Sequence, residues 1–246
     1  MTLDEILMGL FANEGDIRVA GGLVAGNAML AGERPIHVLG IAQGLPLGVD
    51  EASALAQRVI EIIRSGDRAP ILLLVDSASQ RMSRRDELLG LNEYLAHLAK
   101  VLLLAEAEGH RTVGLLYGGS AAGAFIATAL ATSTLVALPG AHPAVMDLPS
   151  MARVTKLPID VLKAKAETTP VFAPGLDNMV RTGGIHIVWD AGAPLAAQLA
   201  TVLERPAGRD DRDRLGAERG GRRKAADIAD RVVAIAVNSH PGSQHG

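Results

Sequence analysis

Between Arg111 and Asp147 the chain runs for 35 residues without an Asp, Glu, Lys or Arg. A stretch of that length with no ionic group belongs inside a folded domain, because apolar chain is stabilised by leaving water. Its punctuation excludes one continuous element: Gly118 and Gly119 interrupt it early, Pro139 and Gly140 late. Thr112 to Leu116 reads as a strand buried on both faces, the glycines as a tight turn, and Ala121 to Ala131 as a helix of small residues. The first N–H groups of such a helix have no intrahelical acceptor and face an incoming oxyanion. With no charged side chain in this run, its working groups are main-chain amides and a dry wall, rather than a carboxylate pair or a metal cage. That points to enolate or acyl chemistry.

Composition narrows the class. At 246 residues the chain suits one large α/β domain or two small ones, and 48% hydrophobic with only 2% aromatic content implies an aliphatic, alanine-rich core. A net charge of −3 gives no electrostatic footprint for nucleic acid, and the absence of cysteine excludes disulfides within the chain, thiol catalysis and thiolate metal sites. The seven histidines show no metal-ligand spacing, so no metal site is expected. No run reaches the ~20 apolar residues of a membrane span. The acidic start Met1 to Glu5 does not read as a secretory signal, and a cytoplasmic location is expected.

Residues 17–30 and 35–41 read as two antiparallel strands joined by a turn at Ala31 to Arg34, with Gly21 and Gly22 marking a bulge or a close approach. A helix follows from Asp50 to Arg64, with Ala52, Leu55, Ala56, Val59, Ile60 and Ile63 on its inner face. Pro70 to Val75 reads as a strand buried on both faces, Asp76 to Arg85 as a loop, and Asp86 to Glu108 as one long helix striped by Leu88, Leu91, Leu95, Leu98, Leu102 and Ala105. Further strands are expected at Val113–Tyr117, Thr134–Leu138 and Ile185–Trp189, and a helix at Pro194–Glu204. Alternating buried strands and helices imply a parallel sheet. Residues 205–224 hold eight basic and four acidic side chains and read as a solvated linker ahead of a C-terminal helix and tail, 225–246.

Three pieces together carry a family resemblance: Leu74 to Gln80, Leu116 to Phe125, and Pro139 to Met146. They resemble the crotonase-like (ClpP/crotonase) α/β spiral of strand-strand-helix units found in biotin-dependent carboxyltransferases, and most nearly the malonate decarboxylase gamma subunits. The resemblance covers about residues 1–204. It implies a lyase subunit that, with a homologous beta subunit, decarboxylates a malonyl thioester on an acyl carrier protein to acetyl thioester and CO2. It further implies a separate acyl transferase subunit, a phosphoribosyl-dephospho-CoA arm on the carrier rather than a cofactor bound here, and no biotin. The matching oxyanion donors are the amides of Gly123 and Ala124, with Gly118, Gly119, Ser120, Ala122, Ser77 and Ala78 lining the substrate. Carboxyltransferases usually have glycine where this chain has Ala122.

Other readings compete for the same residues. A serine at a strand-helix turn suggests a nucleophile elbow, as in Clp-type serine peptidases. The position matching their nucleophile is Ala121, which leaves Ser120 with His142 as base; Ser120 as a helix N-cap is the structural alternative. A non-catalytic scaffolding subunit is a third reading. Asp76 reads as capping its own loop through Ser77 or Ser79, Arg81, Arg84 and Arg85 as a phosphate or carrier contact or a solvated loop, and Trp189 as core or subunit contact.

Overall fold

The strands that the sequence marks as fully apolar lie at the centre of one sheet in the computed structural model, which describes residues 1–12, 15–30, 34–169, 173–205 and 210–239. Residues 31–33 of the expected turn, residues 206–209 of the charged segment and the tail from His240 fall outside the described residues. An N-terminal helix that the apolar pattern did not single out, α1 (Leu3–Leu10), starts from a capping box between Thr2 and Glu5. The opening strands are β1 (Arg18–Ala20), β2 (Leu23–Leu30) and β3 (Arg34–Leu47), paired antiparallel in turn. Gly21 and Gly22, at φ 58° and 81°, make the tight turn that divides the expected strand 17–30 in two.

From β3 the chain crosses through α2 (Val49–Ser65) to β4 (Ile71–Gln80), then through α3 (Arg84–Leu88) and α4 (Leu91–Ala107) to β5 (Thr112–Leu116), all three strands parallel. Next come β6 (Gly119–Ala121), α5 (Ala122–Ala127), β7 (Thr134–Ala137) and β8 (His142–Ala144). β7 extends the main sheet beside β5, while β6 and β8 pair in a small second sheet. Each of these units thus gives one strand to each sheet. Beyond them lie α6 (Leu148–Thr155), α7 (Ile159–Thr168), α8 (Leu176–Arg181), the edge strand β9 (Ile187–Val188), α9 (Leu195–Glu204), α10 (Arg212–Glu218) and α11 (Arg223–Ser239).

Alternation along β4 divides the core. Ile71, Leu73 and Val75 pack with α2, α4 and α5 on one face, and Leu72 and Leu74 with α1 and α9 on the other. Trp189 belongs to the second cluster at 2% exposure. No helix among the described residues is long and apolar enough to cross a membrane.

Four expectations change. β4 does not end at Val75: Ser77 pairs with Leu45 and Gln80 with Leu47, so Asp76 to Gln80 is strand despite its polar side chains. The long helix is two helices, because Gly90 adopts φ 77° and leaves Leu88 77% exposed. The small-residue helix is α-helical only to Ala127, since Thr128 departs from helical geometry and a 3-10 turn, Ala129–Ala131, follows. On α2 the buried residue is Ile62, with Ile60 and Ile63 only partly covered.

The charged segment also differs from a solvated linker in its described part. Arg212, in α10, donates to the carbonyls of Leu130 and Thr132, and Arg219 to those of Val180, Ile185 and His186. Guanidinium groups are well suited to closing such exposed carbonyl rims. α11 follows it with Ile228 and Val232 exposed by 62% and 59%.

Leu74, fully buried, should lower unfolding stability by about 2–5 kcal/mol when changed to Ala, measured by urea denaturation. Arg212→Met should leave the sheet intact but release α10, seen as faster tryptic cleavage within 205–224 while the rest of the chain stays resistant.

Candidate functional site

Parallel strands of α/β sheets present their ligand contacts at the carboxyl ends, and two such ends meet here. β4 runs on past Val75, the β5–β6 turn carries Gly118, and α5 begins beside them. The period of two along β4 puts Asp76, Ala78 and Gln80 on one face and Ser77 on the other. From that face Asp76 Oδ1 accepts the Gly119 N–H at 3.0 Å and its Oδ2 accepts the Gly44 N–H at 3.2 Å. Gly44 can reach it because Gln43 and Gly44, both left-handed at φ 62° and 63°, bulge out of β3. This corrects the expected role of Asp76: it ties the glycine turn to β3 rather than capping its own loop. Glycine is required at 118, where a Cβ would fall 2.1 Å from Asp76 Oδ1.

One turn further, Gln80 Oε1 accepts the Gly123 N–H at 2.8 Å. An oxygen acceptor thus already occupies one of the two amides singled out as oxyanion donors. Gly123 and Ala124 lie in the first turn of α5, whose N-cap, Ala121, provides no side-chain acceptor. Ala122, at φ 51°, holds a left-handed conformation that costs a non-glycine residue roughly 1–2 kcal/mol. The departure from a glycine pair therefore falls on a strained residue, and the buried Ala124 and Phe125 that follow fix it in place.

Beneath the turn, Ser77 Oγ and Ser120 Oγ share a buried hydrogen bond of 2.9 Å. Ser120 is therefore neither the N-cap of α5 nor bonded to a base; the His142 ring makes its contact to the Gly140 carbonyl, through Nδ1 at 3.4 Å. The structure brings Gly118, Gly119, Ser120, Ala122, Gly123, Ala124 and Ser77 together around the turn; Ala78, between Asp76 and Gln80 on their face of β4, is exposed. Two of the three loop arginines are engaged with the first turn of α2: Arg81 with Glu51 at 2.5 Å and Arg85 with Asp50 at 2.8 Å.

A cavity of about 480 Å³ opens beside the turn, lined by Asp76, Tyr117 and Gly118 together with Gln43 and the start of α1. Gly123 and Ala124 do not line it. The Tyr117 hydroxyl is buried without a partner, and burial, with the Asp76 charge beside it, pushes its pKa up so that the phenol stays protonated. Sequence reasoning missed Gln80, Tyr117 and the Gln43–Gly44 bulge. Extending the strand period through Gln80 would have placed the first, and Gly44 inside an apolar strand is the signal for the bulge.

This geometry has close relatives. The family model for the malonate decarboxylase gamma subunit matches residues 42–236. The chain belongs to the malonate decarboxylase gamma-subunit family. It is 28% identical over 221 residues to the malonyl-S-ACP:biotin-protein carboxyltransferase of Malonomonas rubra, covering 81% of this chain and 74% of that protein. A chain of a Pseudomonas malonate decarboxylase hetero-tetramer, solved with coenzyme A, superposes with a TM-score of 0.78 at 26% identity, covering 94% of this chain and 97% of the other. The corresponding hetero-dimer gives 0.74 at the same identity and coverage. At 17% identity, the core of transcarboxylase 12S shares the fold, with a TM-score of 0.66 over 85% of this chain and 42% of its own. The crotonase-like α/β architecture and a place among decarboxylase subunits follow for this chain.

Asp76→Ala should remove two charge-assisted bonds and lower stability by about 1.5–3 kcal/mol for each. Gly118→Ala should displace the same carboxylate sterically. Both variants should lose activity in the assembled enzyme, and thermal unfolding compared with hydrogen exchange at Gly119 tests whether the loosening is confined to the turn.

Proposed function

We propose that this chain forms one wall of a decarboxylation site shared with a homologous beta subunit, and that the Gly123 and Ala124 amides receive the oxyanion formed as a malonyl thioester loses CO2. The observation that carries this reading is the Gly123 N–H already holding an amide oxygen at 2.8 Å, the kind of acceptor an enolate would replace. In the reaction the bond between the thioester α-carbon and the carboxylate breaks, its electron pair passes into the enolate, CO2 leaves, and the α-carbon then takes up a proton. Negative charge moves onto the thioester oxygen, and preorganised donors stabilise it; removing one such donor costs about 2.7–4 kcal/mol. Gln80 swings aside when substrate arrives.

The amides sit in a stretch, 112–146, without an ionic side chain, which suits a step that turns a carboxylate into neutral CO2. The partner is the beta subunit, in keeping with the hetero-dimer and hetero-tetramer of the Pseudomonas relatives. The substrate is a malonyl group on the phosphoribosyl-dephospho-CoA arm of an acyl carrier protein, charged by an acyl transferase subunit in the cytoplasm, with no biotin and no cofactor held by this chain. The Malonomonas relative favours a second reading, in which the same amides hold the carboxyl group during transfer to a biotin protein.

Malonyl-thioester decarboxylation should appear when this chain and the beta subunit are mixed and be absent with either alone. Gly123→Pro, which removes the N–H and also strains the left-handed Ala122 before it, should lower kcat by at least about 10²–10³-fold. Gly123→Ala keeps the N–H and serves as the control for added bulk beside Leu95 and Gln80. Activity in the beta subunit alone, unchanged by this chain, would leave only a scaffolding role. Activity abolished by avidin would favour the biotin route.

A further inference from the structure

At the opposite end of the same strands, three residues distant in sequence converge. His37 lies on β3 at the level where β4 begins, Asp67 in the α2–β4 connection, and His110 just before β5. One ligand atom from each lies within 4.8 Å of the others. The two imidazole rings are 6.2 Å apart, centre to centre, and inclined by 56°.

The hydrogen bonds behind these residues orient them. His110 Nδ1 lies 2.8 Å from the Ala69 carbonyl oxygen, which can only accept, so Nδ1 carries the proton and the neutral ring offers its lone pair at Nε2. His37 Nδ1 lies 2.7 Å from Asn27 Oδ1, and the Asn27 amide is set in that sense because its Nδ2 faces Asp16 Oδ2 at 3.4 Å. His37 Nε2 donates to Asp67 Oδ2 at 2.9 Å, a contact whose proton a bound cation would replace. Asp67 Oδ1 accepts the Ala69 N–H at 2.9 Å, so a single peptide residue positions two members of the cluster. Histidines whose Nδ1–H is held by a carbonyl oxygen are the arrangement that metal-ligating imidazoles use.

We propose that His37, Asp67 and His110 form a site for a zinc-type divalent cation, with His37 Nε2, His110 Nε2 and an Asp67 carboxylate oxygen as ligands. Two imidazoles and one carboxylate suit zinc, cobalt or nickel better than calcium or magnesium. A cavity of about 410 Å³ lined by His37, Asp67, Ser65 and Glu61 gives entry and room for water as a further ligand. Arg58, which also lines it, is paired with Glu61 at 3.1 Å. A second cluster, His186 with Asp210 and Asp211, lacks this design: His186 Nδ1 accepts the Leu135 N–H, so the proton sits on Nε2, facing Asp211. The cation would fasten β3 to the two connections that enter β4 and β5, far from the glycine turn.

The test uses the untagged full chain, stripped with chelator, dialysed and titrated with Zn²⁺ and Co²⁺. One equivalent per chain, a visible ligand-field spectrum with Co²⁺ and a raised Tm are expected. Asp67→Asn keeps an oxygen for the Ala69 N–H while removing the charge, and should weaken binding at least tenfold; Asn27→Ala should weaken it about 10–100-fold. His97→Ala, on the exposed face of α4, should change nothing. Absence of stoichiometric binding, or binding indifferent to both Asp67→Asn and His37→Gln, would overturn the site and leave an ion pair beside an ordinary buried histidine.

Discussion

One carboxylate sets the geometry of the glycine turn. Asp76 joins the Gly119 amide to the Gly44 amide, and the features around it are the conditions for that reach. β4 must stay extended past the hydrophobic core to carry Asp76 outward. β3 must bulge at Gln43 and Gly44 to aim an N–H back at it, and residue 118 must lack a side chain. A charged acceptor holding two main-chain donors is stronger and more directional than a neutral one. Because β6 starts at Gly119, the start of α5 inherits its position from the same link.

Rigidity comes from below. The apolar strands are covered on both faces, Ser77 and Ser120 satisfy one another under the turn, and Ala124 and Phe125 are wholly enclosed. Packing of that density makes a left-handed Ala122 tolerable, since the surrounding structure determines its backbone. The turn therefore stores a small strain at Ala122, next to the Gly123 amide, on a platform that does not relax to relieve it.

The main sheet was legible because its strands are uniformly aliphatic. Ile71 to Val75 and Thr112 to Leu116 admit no other element of that length. The glycine turn showed itself through Gly118 and Gly119 against a charge-free background. What stayed hidden depended on contacts rather than composition. Ser77 and Gln80 look like loop residues, yet they pair with Leu45 and Leu47 of β3. Leu88 completes a helical stripe on paper, but Gly90 turns the chain before that stripe can be used. The arginines of 205–224 look solvated until Leu130, Thr132 and Val180 provide the carbonyls they close. Likewise, no spacing rule links His37 to His110, because it is the sheet that brings their connections together.

On the proposed reading, a site whose donors are backbone amides has an unusual relation to inheritance. Alanine scanning would not test these amides, since position 124 is already Ala and Gly123→Ala keeps the N–H while adding a Cβ against Leu95 and Gln80. What selection can see there is volume and torsion: a Cβ where Asp76 needs space, or a proline where hydrogen is required. Side chains elsewhere are then free to drift as long as the curve of the chain survives, which fits a fold retained at a TM-score of 0.78 while identity has fallen to 26%. In such a protein the heritable part of the active site is a shape, and its record is written in the residues that are absent.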